Sequence, residues 1–156
     1  MPRLGSVVPG SSEVMTTAGS LQFEMSLPAL SASARRARVA VADTVAALGI
    51  DERRVDDVRL CVSEAVTNAV VHAYGAESGT VDVTVVARDP GVVVVVRDFG
   101  SGLMGPHRHG EGGFGLSIID AVSDQCALSS VSGVGTEVSM AFGTTLTSGE
   151  GQLLAI

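Results

Sequence analysis

The sequence contains no lysine: its ten basic residues are all arginines, set against 17 acidic ones for a net charge of −7. With no basic run and no basic excess, a nucleic-acid surface is not expected. Cysteine is nearly as scarce. Cys61 and Cys126 have neither metal-ligand spacing nor the pattern of a disulfide framework, so both are expected to be reduced core thiols. Long hydrophobic runs are missing too. The longest, Val92 to Val96, is far short of a membrane span, and the N-terminal region carries only Arg3 and no apolar stretch of signal-peptide length. A soluble, cytoplasmic protein with no membrane partner is therefore expected.

Apolar residues make up 46% of the 156, enough for one domain with its own core and too short a chain for two. Residues 1–20 mix Gly, Ser, Pro and Thr without periodicity and residues 144–156 follow the last strand pattern, so both are expected as tails flanking a domain at 21–143. Leu21, Phe23, Met25 and Leu27 alternate with polar residues up to Pro28, the period of a half-buried strand. Leu30, Ala34, Ala37, Val41, Val45 and Leu48 then recur at helical spacing, with Gly49 placed as a C-cap and Ile50 as its hydrophobic contact. Asp51 can cap a second helix that runs to Tyr74 and ends at Gly75. A hairpin is expected from Thr80 to Arg97 around Asp89-Pro90-Gly91, and a second one from Ala127 to Phe142 around Ser132-Gly133-Val134-Gly135. Between them lie a long Gly-rich segment, of a kind that is usually functional, and a short helix entered at Gly115. Arg35, Arg36 and Arg38 cluster on the first helix, as a solvated face or as a docking surface for an acidic partner.

The second helix carries the most chemistry. Val55, Val58, Val62, Ala65, Val66, Ala69 and Ala73 define one apolar stripe, an ordinary core face. Glu64, Asn68 and His72 recur every four residues and form a polar stripe beside it, with Leu60, Thr67 and Val71 on the far side. A carboxylate and a carboxamide between apolar neighbours would be partly desolvated, which costs free energy unless a ligand fills the site. The alternative is the solvated face of an amphipathic helix, and the glycines downstream discriminate between the two.

Gly110-x-Gly112-x-x-Gly115 has the spacing of the dinucleotide-binding fingerprint. That fingerprint requires a parallel strand immediately before it and an acidic residue ending a second strand; here the preceding strand ends a dozen or so residues earlier and the strands come as hairpins. What remains is a glycine-rich turn at a helix N-terminus, an anion site suited to phosphate. Asp98 ends a buried strand beside Gly100 and Gly102, which would let a flat ligand approach the backbone. An ionised aspartate only accepts hydrogen bonds, and so suits an exocyclic amino group such as that of adenine. His107 and His109 could suggest a metal site but lack a third ligand.

Taken in order, Glu64-x-x-x-Asn68, Asp98-x-Gly100-x-Gly102, Gly112-Gly113-x-Gly115-Leu116 and Gly135-Thr136 resemble the four boxes of the GHKL ATPase superfamily, shared by gyrase, histidine kinases and DNA mismatch-repair ATPases. The run from Ser63 to Val70 looks like that of its anti-sigma factor serine/threonine kinases. The resemblance implies a two-layer α/β (α+β) sandwich of the Bergerat type, with a mixed, mostly antiparallel sheet and three helices on one face. It implies ATP and Mg²⁺, with Asn68 as the metal ligand, Glu64 as the catalytic base, and Asp98 reading the adenine amino group with help from Thr136. Gly112, Gly113, Gly115 and Leu116 would meet phosphate through backbone N–H groups. With no lysine in the chain, Arg108 is the first choice for a cationic contact to the γ-phosphate. His72 resembles a residue common at its box position and could equally be a packed structural histidine. The implied function is phosphorylation of an anti-anti-sigma antagonist and sequestration of a sigma factor, in a homodimer. Alternatives are a nucleotide-gated regulatory protein without phosphoryl transfer and a stand-alone histidine-kinase-like domain. Against the latter, no helix pair bearing a phospho-accepting histidine precedes the domain.

Overall fold

The first strand spans Ser20–Pro28 (β1), and the expected alternation holds from Phe23 to Leu27, with Phe23 and Met25 half-buried and Leu27 fully buried. Leu21 is exposed instead, because a register shift against the neighbouring strand falls between it and Phe23. The computed structural model describes residues 19–74, 77–102 and 115–143. Helix α1 (Ser31–Ala47) buries Ala37, Val41, Ala42 and Val45 and closes as its sequence predicts. Gly49 takes the left-handed conformation at φ 83°, which a Cβ would disfavour, and Ile50 turns into the core. Asp51 then caps α2 (Glu52–His72), its carboxylate accepting the Arg53 N–H at 2.8 Å.

The other elements are β2 (Thr80–Arg88), β3 (Gly91–Asp98), α3 (Gly115–Val122), β4 (Gln125–Val131) and β5 (Gly135–Gly143). They build one sheet in the order β1-β2-β3-β5-β4. Every described pairing is antiparallel, where the resemblance implied a mixed sheet. The reason is topological. Paired strands are separated by two chain elements or by none, so the chain always returns in the opposite direction.

Val81, Val83, Val85, Val92, Val94, Val96, Val138, Met140 and Phe142 share one face of the sheet and are buried against the helices. Helix α2 lies between α1 and α3 and packs on both. Its predicted apolar stripe is buried throughout, from Val55 to Ala73. Cys61 joins it with its thiol pushed up to about 11 by burial, and burial raises Cys126 as well, so both remain protonated free thiols. Among the described residues no helix is long and apolar enough to cross a membrane.

Arg54, which the sequence reading did not single out, ties the far end of the helical layer to the sheet. Its guanidinium pairs with Asp57 at 2.9 Å and with Asp124, donates to the carbonyls of Val122 and Gly143, and lies over the Phe142 ring. Asp124 in turn accepts the Gly143 N–H at 2.6 Å. The C-terminal end of α3 is thereby fixed to α2 and to the end of β5.

Candidate functional site

Glu64 and Asn68 sit half-buried on α2 between its core stripe and the exposed Leu60, Thr67 and Val71, as the spacing predicts. The first residue of α3 meets them there. A Cβ on Gly115 would stand 2.9 Å from Glu64 Oε2, 3.0 Å from Asn68 Nδ2 and 3.2 Å from Asn68 Oδ1. Only glycine allows this approach without displacing the two side chains, and the approach brings the first turn of α3, whose N–H groups have no partner within the helix, to the same space. Leu116 is half-buried against the core behind them. His72, on the last turn of α2, is exposed, so it is not a packed core histidine.

Asp98 closes β3 on the helix-facing side of the sheet and is only 7% exposed. It pairs with Thr136 across β3–β5. Gly100 N–H and Thr136 N–H both donate to its Oδ1, at 3.0 and 3.2 Å, and among the described residues Oδ2 receives no hydrogen bond. Burial pushes the Asp98 carboxyl above the usual carboxylate range, against the opposing pull of those two N–H groups. Gly135, at φ 137°, lies so close to the Asp98 carbonyl that any Cβ would strike it. The glycine of the fourth box is thus a packing requirement for the aspartate of the second.

Beyond Thr136 the row continues to Ser130 on β4, whose hydroxyl lies 3.1 Å from the Thr136 hydroxyl. Below it, Leu128 pairs with Val138 at the sheet edge. Neither Ser130 nor Leu128 was among the residues expected at the site. The hairpin around Ser132-Gly133-Val134 carried the signal, since antiparallel register about that turn sets Ser130 opposite Thr136. Gly102, at φ 76°, packs against the Val131 carbonyl, and the Gly133 N–H donates to the Ser101 carbonyl at 2.9 Å. The Asp98-to-Gly102 turn is thereby seated on the β4–β5 hairpin. Arg108, Gly112 and Gly113, with His107 and His109, lie outside the described residues. Among the described residues no group of three or more His, Cys, Asp or Glu side chains could hold a metal by itself.

Across residues 27–142 the sequence matches the model of the histidine kinase-like ATPase domain. The chain belongs to this family. Its relatives include the anti-sigma F factor of Pasteuria penetrans, 36% identical over 76% of this chain and 88% of that protein, and that of Clostridium acetobutylicum, 30% identical over 76% and 91%. The serine-protein kinase RsbW of Oceanobacillus iheyensis is 29% identical over 72% and 81%. Among solved structures, the RsbU and RsbW domains of a Mycobacterium tuberculosis protein share the fold, with a TM-score of 0.58 at 21% identity over 78% of this chain and 32% of that one. The histidine kinase domain of an Erythrobacter litoralis blue-light activated kinase gives 0.50 at 26% identity, over 58% and 45%. The Bergerat sandwich implied by the four boxes is the observed fold, and the relatives are anti-sigma factors and serine-protein kinases.

Proposed function

We propose that this protein is an anti-sigma factor serine/threonine kinase, which binds ATP between α2, the end of β3 and the start of α3. The observation that carries the reading is the seat of Gly115 against Glu64 and Asn68, which sets a helix N-terminus, a carboxylate and a carboxamide around one space. Asp98, its Oδ2 without a described partner, suits the adenine amino group, with Gly100 and Gly102 keeping side chains off the base and Thr136 holding the carboxylate in place. The N–H groups of Gly115 and Leu116 suit phosphate, with Gly112, Gly113 and Arg108 assigned from sequence to complete that end.

The residues present also fit Mg²⁺, because this ion is usually held by one or two protein oxygens and the substrate phosphates rather than by a protein cage. Asn68 Oδ1 would hold it, and its charge would offset that of the phosphates. Glu64 acts as general base. The hydroxyl oxygen of a serine or threonine on the antagonist attacks the γ-phosphorus, its proton passes to the Glu64 carboxylate, and the bond to the β-phosphate oxygen breaks to release ADP. Sigma-factor capture and a homodimeric state belong to the same proposal; the names of the anti-sigma relatives support the first.

The test is incubation with γ-labelled ATP and a candidate antagonist. Transfer of label to a serine or threonine is the expected result. Saturable ATP binding with no transfer would replace the kinase with a nucleotide-gated binding protein.

A further inference from the structure

The side chain that couples the two halves of this site is one that none of the four boxes contains. Tyr74 follows the last turn of α2, and its hydroxyl accepts the Phe99 N–H at 2.8 Å and donates to the Thr80 carbonyl at 2.5 Å. The β2–β3 ladder ends one step short of these residues, at the pair Val81 and Asp98. The next pair would be Thr80 and Phe99. In its place the hydroxyl is inserted between the strands, so that β3 leaves β2 while both backbone groups stay bonded.

The ring needs room to reach this position. A Cβ on Gly79 would overlap it, so glycine at 79 is part of the same arrangement. On the other side of the loop, Gly100 presses on the Ala73 carbonyl, which accepts the Ser101 N–H at 3.0 Å. The two residues that follow α2 therefore grip the Asp98 loop twice, by backbone at Ala73 and by side chain at Tyr74.

We infer that Tyr74 is a positioning residue for base selection, fixing the loop that presents Asp98 relative to the helix that carries Glu64 and Asn68. This rests on the reading of Asp98 as the adenine acceptor. A carboxylate held still accepts from the amino group of adenine and is opposed by the carbonyl oxygen that guanine presents at the same place. A loop released from Tyr74 can turn the carboxylate away from either base, so selectivity falls along with affinity.

The experiment compares Tyr74→Phe with wild type for ATP, ADP and GTP binding by calorimetry, with the melting temperature recorded for both. Wild type is expected to prefer ATP. The variant should bind ATP and ADP about tenfold more weakly, with GTP much less affected, so that the ATP-to-GTP preference shrinks. An equal loss for ATP and GTP accompanying a lower melting temperature would mark Tyr74 as a general stabiliser and overturn the inference. So would a preference unchanged within about twofold. If wild type itself shows no preference for ATP, the reading of Asp98 fails first and this inference falls with it. Amide hydrogen exchange on the unliganded wild type gives a check that needs no variant: the Phe99 N–H should exchange as slowly as amides inside β3. Exchange at the rate of an open loop overturns the coupling.

Discussion

At the scale of the residue, Glu64 and Asp98 are two carboxylates in unlike surroundings. Glu64 is half-buried beside the first residue of α3. Glu64→Gln keeps the shape but removes the proton acceptor, so transfer is expected to fall about 10²–10⁴-fold in single-turnover assays while ATP still binds. Transfer at the wild-type rate would make Glu64 a structural residue. Asp98 is buried, and its folded-state pKa is raised above the ordinary 3.8 by that burial. Over the window above 3.8 the folded state therefore binds more protons than the unfolded chain, and this group costs stability as pH rises through it. Binding runs the other way, because the adenine amino group needs the ionised acceptor. The ratio of ADP affinities between wild type and Asp98→Asn is expected to fall on acidification, starting above 3.8. A ratio that holds constant until 3.8 is reached would contradict the desolvated carboxylate.

At the scale of the element, α3 is short, only eight residues, and is held at both ends by α2. Its first residue rests on Glu64 and Asn68, and its last turn is bound through Arg54 to Val122, Asp124 and Gly143. So short a helix is not stable by itself, and its place is set by these contacts and by the buried Ile119. Arg54→Ala leaves Asp124 and the Val122 carbonyl without their cation. A loss of about 2 kcal/mol is expected in urea unfolding. ATP affinity should fall by more than the change in folded fraction explains, because α3 also forms the phosphate end. A variant with unchanged stability would show that the guanidinium contacts are solvated and weak.

At the scale of the whole molecule, the proposed nucleotide site and the arginine cluster occupy different elements. Arg35, Arg36 and Arg38 are exposed on α1, whereas the site is built from α2, α3 and the ends of β3 and β5. If the cluster meets an acidic partner, charge reversal at Arg35 and Arg38 should weaken capture of that partner while leaving ATP affinity intact. Parallel losses in pull-down and nucleotide binding would indicate misfolding instead.

Much of this architecture is determined by local pattern alone. The alternation of β1 and β2, the apolar run of β3, the Gly49–Ile50 stop, the Asp51 cap and the apolar stripe of α2 are each set by neighbours a few residues apart, and they are readable for that reason. Asp98, Gly100 and Thr136 were legible as box residues, but the order and spacing of boxes say nothing of which atoms meet. Only the tertiary structure decided that Gly115 lies on Glu64 and Asn68, that Gly135 must be small because of the Asp98 carbonyl, and that Ser130 extends the polar row. It also decided the roles of Arg54 and Tyr74, which the sequence presents as one surface arginine among ten and one residue at a helix end. Periodicity records which face of an element is buried, because that depends on spacing along one segment. Hydrogen bonds between segments 25 or 89 residues apart depend on how faces are brought together, and no local pattern carries that information.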